Sequence, residues 1–206
     1  MPTATGAIVG LLLAAGRGTR FDPSGQSPKL LAAAPAGPQA GLPLALAAAR
    51  TLRAALPEVV AVVRPMDTPA QQELHRLLRD AGCRLAINDR ADEGMGGSIA
   101  AGVRASTDAA GWLVALADMP AVAPATIGAV RDALAAGAIS AAPMHQGRRG
   151  HPVGFAACLR PLLLALHGDE GARSVLTAHP PLPIAVADAG CLLDLDSPAD
   201  FPAPPQ

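Results

Sequence analysis

The 206-residue chain is expected to fold as an α/β protein, a single three-layer α/β/α domain on a mainly parallel sheet. Three observations carry that expectation. Apolar residues make up 50% of the chain, enough for a core of this size. Short, continuously apolar runs, the mark of strands covered on both faces, alternate with longer amphipathic ones. Turn and breaker residues stand at most of the junctions between them.

The elements follow in order. Ile8 to Leu13 is continuously apolar and reads as a strand buried on both sides. Pro43 to Leu56 reads as a helix with proline in its first turn. Val59 to Val63 is a second strand. Thr68-Pro69 supplies an N-cap followed by proline at the first helical position. Leu74, Leu77 and Leu78 form an apolar stripe, and Gly82 ends that helix. Arg84 to Ile87 is a short third strand and Gly96 to Ala105 a helix. Trp112 to Ala117 is another apolar strand, ending at Asp118-Met119-Pro120. Thr126 to Ala136 reads as a helix and Ile139 to Ala142 as a strand. After Pro143 the composition shifts to Gly, Arg and His, through Gly150-His151-Pro152. Helical stretches are expected near Leu159 to Leu166 and Ala172 to Ala178, with strands at Ile184 to Ala187 and Cys191 to Leu195. Residues 1–206 read as one domain with its core at 7–201 and a frayed tail at 202–206. Such alternation gives a Rossmann-like layout, in which ligands bind beyond the carboxyl ends of the strands. That rule selects the loops after Leu13, Ile87 and Ala117.

Composition removes several function classes. Fifteen arginines and one lysine, Lys29, oppose 17 acids for a net charge of −1, which leaves no basic face for nucleic acid. Three Phe, one Trp and no Tyr offer no stacking platform for single strands. Cys83, Cys158 and Cys191 form neither a C-x-x-C nor a zinc spacing, so three buried or neutral thiols in a reducing, cytoplasmic setting are expected. The apolar start Ala7 to Ala15 lacks a positively charged lead and reads as a strand rather than a signal peptide. No apolar run reaches the roughly 18 residues of a membrane helix, so no membrane partner is expected.

The first strand runs into Leu13-Ala14-Ala15-Gly16-Arg17-Gly18-Thr19-Arg20-Phe21, followed by Pro28-Lys29. Small residues and two glycines let backbone N–H groups turn towards an anion. No Gly-Lys-Ser/Thr is present, and Phe21 stands where a dinucleotide fingerprint needs its third glycine. On spacing alone, a Gly-rich turn with solvated arginines and a phosphate loop both remain open. The combination resembles the signature L-A-A/G-G-x-x-x-R-[FM]…P-K of the nucleotidyltransferase superfamily that activates sugars and cofactors with NTPs. Leu13-Ala14-Ala15-Gly16 is similar to the version in molybdenum cofactor cytidylyltransferases, whereas guanylyltransferase relatives carry Gly in place of Ala15. The stretch from Asp22 to Ser27 makes the loop longer than is usual in that family.

Further segments resemble the same family in the same order. Asn88 with Glu93-Gly94-Met95-Gly96-Gly97-Ser98 resembles N…G-M-x-x-S, and also suits a plain helix start. Leu116-Ala117-Asp118-Met119-Pro120 resembles L-A-D-M-P. A lone carboxylate at the end of an apolar strand sits in the ligand crevice, where Mg²⁺ binds through one or two carboxylates plus substrate phosphates. Gly147 to Val153 resembles G-R-x-G-H-P, and also an exposed basic turn. Gly168-Asp169-Glu170-Gly171-Ala172-Arg173 resembles G-D-x-G-A-R, with Asp169 also placed to cap a helix. Asp194 to Asp200 resembles D-x-D-T-P-x-D, with Ser197-Pro198 also suited to capping a final turn.

The resemblance implies a nucleotide-diphospho-sugar transferase-like fold. It implies transfer of CMP from CTP to the phosphate of Mo-molybdopterin, with release of pyrophosphate and delivery of the dinucleotide product to a molybdenum hydroxylase. Lys29, Arg17 and Asp118 would be catalytic. Leu13, Ala14, Ala15, Gly16, Arg17, Gly18, Lys29, Asn88, Gly94, Met95 and Ser98 would bind the nucleotide. Asp118 and Asp196 would hold Mg²⁺, and Arg149, Gly150, His151 and Arg173 would border the second substrate. Three alternatives stay open. One is GTP as donor, or a sugar or methylerythritol phosphate as acceptor. The second is a non-catalytic molybdenum cofactor-binding accessory protein for xanthine-dehydrogenase-type enzymes. The third is a reductase of unusual dyes.

Overall fold

The computed structural model describes residues 6–22 and 28–201. The tail at 202–206 and the loop insertion at 23–27 lie outside the described residues.

The chain forms one eight-stranded sheet with helices on both faces. Strands β1 (Ile8–Leu13), β2 (Glu58–Val63), β3 (Arg84–Ile87) and β4 (Gly111–Leu116) are mutually parallel, in the order β3-β2-β1-β4. The continuous apolar runs have a direct cause. Successive side chains point to opposite faces, and both faces are covered. On β1, Leu12 enters one core and Val9 and Leu11 the other; on β2, Val59, Ala61 and Val63 part from Val60 and Val62 in the same way.

The first core is covered by α1 (Leu44–Ala55), α2 (Pro69–Asp80) and α4 (Pro124–Ala135). The second lies under α3 (Met95–Arg104), α5 (Arg160–Leu164) and α6 (Arg173–Ala178). Thr68 caps α2 as its sequence predicts, and closes a capping box with Gln71. The lone Trp112 is fully buried, and its indole N–H donates to Ser106 Oγ at 2.9 Å.

Beyond β4 the sheet departs from the expected pattern. Three further strands, β5 (Ser140–His145), β6 (Arg148–Arg149) and β7 (Val153–Ala156), give the order β4-β7-β5-β6, with β7 antiparallel to both neighbours. β8 (Leu182–Ala185) pairs in parallel with β5. The sequence reading missed β6 and β7 because Gly150, Pro152 and Gly154 look like turn residues. Gly154 is in fact a packing residue: a Cβ there would stand 3.0 Å from Val130 and Leu134 of α4. The strand expected over Cys191 to Leu195 is also corrected. Ala189–Leu192 forms a 3-10 turn, because Asp188 Oδ1 accepts the Gly190 N–H at 2.9 Å and winds the chain. The other Asp188 oxygen accepts from Ala123 N and Thr126 Oγ1, so a residue far along the chain caps α4.

Candidate active site

The carboxyl ends of β1 and β4 open into a cleft of about 1240 Å³. Its lining includes Leu13 to Arg20 from the first loop, Lys29, Asp118 and Asp196. Lys29 lies in a short 3-10 turn, Lys29–Leu31, and is only 9% exposed. Its Nζ donates to Asp118 Oδ2 at 2.7 Å and to Asp196 Oδ1 at 2.8 Å. Burial opposes the ammonium charge, but the two carboxylates outweigh it and hold the lysine pKa above its ordinary value.

Each member of this triad has a local cause. Asp118 follows β4 after Ala117 alone, as the first polar side chain after an apolar strand. Asp196 arrives from 78 residues later because the Leu195 N–H donates to the Asp118 carbonyl at 3.1 Å and Leu195 is buried beside Leu44 and Ala47. Ser197 and Asp200 close a capping box just beyond it. Both readings of that segment therefore hold in the geometry: the serine caps a turn, and the turn presents Asp196. Asp194 stays exposed. Gly18 takes φ +67, a conformation glycine adopts without cost, and a Cβ there would stand 3.1 Å from Lys29 Cβ. The glycine thus brings the loop onto the lysine.

The arginine of the quoted motif stands at position 20, and the sequence reading passed over it in favour of Arg17. Arg20 reaches Asp196 Oδ2 at 2.7 Å. Arg17 points elsewhere, onto Asp92, with Nε donating at 2.6 Å. Arg64, at the end of β2, shares Asp92 Oδ1 at 2.5 Å and donates from Nε to the Ala15 carbonyl at 2.7 Å. Arg17 first and Arg64 second hold the Asp92 carboxyl well below the usual range. A trans peptide points its N–H opposite to its carbonyl. By fixing the Ala15 carbonyl, Arg64 therefore directs the Gly16 N–H away from itself. Neither Arg64 nor Asp92 was legible, since their contacts join segments 28 to 75 residues apart.

The other predicted residues are placed as follows. Gly94, Met95 and Ser98 line the cleft at the start of α3. Asn88 is buried behind them and donates to Ser98 Oγ at 3.0 Å. The 167–171 turn packs on this helix start, with the Gly96 N–H donating to the Gly168 carbonyl at 2.9 Å, and Asp169 lines the cleft. Among the described residues, Arg149, Gly150, His151 and Arg173 are not in the cleft lining. Arg149 lies exposed on β6 and Arg173 opens α6. His151 is half-buried, with Asp118 near enough to act on its charge, and desolvation pushes its imidazole pKa down. Of the thiols, Cys83 and Cys191 are buried, and Cys158 is exposed.

The donor set can be tested against a divalent cation. Among the described residues, no group of three or more His, Cys, Asp or Glu side chains is arranged to hold a metal. Two carboxylates sharing one cation are present, and Asp118 Oδ1 is buried without a hydrogen-bond partner. That set fits Mg²⁺, which takes one or two carboxylates and completes its shell with phosphates and water. No helix among the described residues is long and apolar enough to cross a membrane.

Comparison with known proteins agrees with this fold. A curated relative from Paenarthrobacter nicotinovorans, named nicotine blue oxidoreductase, is 33% identical over 180 residues, covering 84% of this chain and 83% of its own. The crystal structure of Rv0371c from Mycobacterium tuberculosis superposes with a TM-score of 0.75 at 25% identity, covering 95% of each chain. A complex of Rv0371c with manganese superposes at 0.71 and 25% identity, over 94% of this chain and 95% of that one. A nucleotidyl transferase from Methanothermobacter shares the fold, with a TM-score of 0.74 at 22% identity over 94% of each chain. The model of the MobA-like NTP transferase domain matches residues 10–182, and the chain belongs to that nucleotidyltransferase family.

Proposed function

We propose that this protein is a Mg²⁺-dependent cytidylyltransferase that transfers CMP from CTP to the phosphate of Mo-molybdopterin. The observation that carries the reading is Lys29 held between Asp118 and Asp196 beside the Gly-rich loop. The cytidine and molybdopterin assignments rest on the resemblance of Leu13 to Gly16 and Gly168 to Arg173 to the cytidylyltransferase branch. The cleft volume of about 1240 Å³ accommodates a nucleotide together with a second small molecule.

In the reaction, an oxygen of the acceptor phosphate forms a bond to the α-phosphorus of CTP. The bond from that phosphorus to the β-phosphate bridge breaks in line, and pyrophosphate leaves with the electron pair. The attacking phosphate is already ionised at neutral pH, so no side chain has to remove a proton. Catalysis is then mostly positioning and charge neutralisation. Asp118 and Asp196 would hold Mg²⁺, which would supply charge neutralisation at phosphate oxygens. Backbone N–H groups from Ala15 to Gly18 cradle the triphosphate, with Arg64 fixing the peptide between Ala15 and Gly16. Lys29 and Arg20 supply positive charge where it builds on the leaving group.

The test offers Mo-molybdopterin with CTP or with GTP and measures pyrophosphate. Release with CTP, little with GTP, and a loss of about 10²–10³-fold in the Asp118→Asn variant are expected. Release with GTP alone would move the reading to a guanylyltransferase. The name of the 33% identical relative favours a second reading, reduction of a dye. Bleaching of a dye in the presence of a reductant, with pyrophosphate release absent for both nucleotides, would select it.

A further inference from the structure

We infer that Lys29 and the divalent ion are alternative partners of the same two carboxylates, so that the ion enters only together with nucleotide phosphates. The inference rests on the proposed Mg²⁺-dependent transfer and adds an order of binding to it.

The charge balance is the starting point. Lys29 meets Asp118 and Asp196, and Arg20 meets Asp196. Two positive and two negative side chains sum to zero. Lys29 is 9% exposed, and the side chains of Asp118 and Asp196 are 21% and 24% exposed. Water therefore screens these three groups poorly, while Arg20, 79% exposed, is well solvated. A divalent ion arriving alone would leave an excess of two positive charges there. It would also have to displace an ammonium that makes two charge-assisted hydrogen bonds at 2.7 and 2.8 Å. A nucleoside triphosphate changes the balance, because its phosphates offer the ammonium a new partner. Lys29 then turns from the aspartates to the phosphates and leaves the carboxylates to the ion. Its compact head on a four-carbon stem suits such a handover better than a planar guanidinium does.

The experiment reads binding rather than turnover. Mn²⁺ is titrated into the protein and followed by electron paramagnetic resonance, alone and with pyrophosphate or CTP. The parent should bind Mn²⁺ weakly alone and more tightly with either phosphate ligand. Lys29→Met should bind Mn²⁺ alone roughly tenfold or more tighter than the parent, since one positive charge a few ångströms away is gone. Adding Asp118→Asn to Lys29→Met should remove that gain. Equal affinity of Lys29→Met and parent for Mn²⁺ alone would overturn the inference.

A second measurement needs no variant. Lys29 is the chain's one lysine, so protein labelled with ¹³C-lysine gives a single Cε–Hε signal. That signal should stay in place with millimolar Mg²⁺ and move with Mg²⁺ and CTP, or with Mg²⁺ and pyrophosphate. Movement with Mg²⁺ alone as large as with both would overturn the inference. Should pyrophosphate release be absent while the Mn²⁺ and lysine readouts behave as expected, the transferase reading fails and the order of binding stands.

Discussion

Lys29 is the residue at which sequence and structure meet most closely. It was marked by being the one lysine among fifteen arginines and by its place after a Gly-rich loop, and the fold seats it on two carboxylates. Asp118 was legible for a different reason: an acid that ends a wholly apolar strand has no role in the core. Arg64 and Asp92 gave no such signal, because an arginine after a strand and an aspartate in a turn are ordinary on a surface. Only their convergence with the Ala15 carbonyl gives them meaning. The thiols were half legible. Burial pushes Cys83 up from its ordinary 9.0 to about 11, with Arg53 opposing, and burial and then Asp188 raise Cys191. Cys158 stands in solvent. At pH 8 a thiol reagent should therefore label Cys158 quickly and the other two only after urea is added. The sign for stability follows from the raised value. A neutral Cys83 contributes fully below about pH 9 and its contribution is lost as pH rises through about 11. Cys83→Ala should flatten that alkaline decline in denaturation midpoints, and an unchanged decline would assign it to other groups.

At the scale of elements, the helices and parallel strands were readable because each obeys its own period. Thr68-Pro69 began a helix, Gly82 ended one, and three apolar runs became the central strands β1, β2 and β4. The hairpin arm was not readable, because β7 is four residues long and its glycine serves packing against α4. The junction of α3 with the 167–171 turn depends on one residue of this kind. Gly94 has φ +110, and a Cβ there would fall 2.3 Å from the Gly168 carbonyl carbon and 2.5 Å from Asp169 Oδ1. Gly94→Ala should cost about 1–3 kcal/mol from backbone strain alone, and more if the turn cannot move. Gly41 is the control: its φ is +86, but nothing lies within 4 Å of a Cβ there. Urea denaturation should rank Gly94→Ala as clearly less stable than Gly41→Ala. Gly94→Ala should also weaken CTP binding, since Gly94 and Asp169 both line the cleft. Equal stability of the two variants would mean that the turn yields freely.

On the scale of the whole molecule, the cleft gathers segments that lie far apart along the chain. Its lining comes from residues 13–20, Asp22 and residues 28–31, from Arg64 and the start of α2, from the segment before α3, from the end of β4, and from Asp169 and Asp196. The ordered succession of motifs made this architecture legible, while the antiparallel arm from β5 to β7 lies to one side of it. A ligand that bridges so many segments binds the folded chain and has no counterpart in the unfolded one. Stability should then rise with ligand as RT ln(1 + [L]/Kd), about 2.7 kcal/mol at one hundred times Kd. For a chain of this length each kcal/mol moves Tm by about 2–4 °C. CTP with Mg²⁺ should thus raise Tm by roughly 5–10 °C at that excess, as one cooperative transition. Asp118→Asn should reduce the shift seen with Mg²⁺ and leave much of the shift seen with CTP alone, because the loop amides and Lys29 remain. GTP at the same concentration should give a smaller shift than CTP. A Tm that ignores CTP and Mg²⁺ together would remove the nucleotide from this cleft.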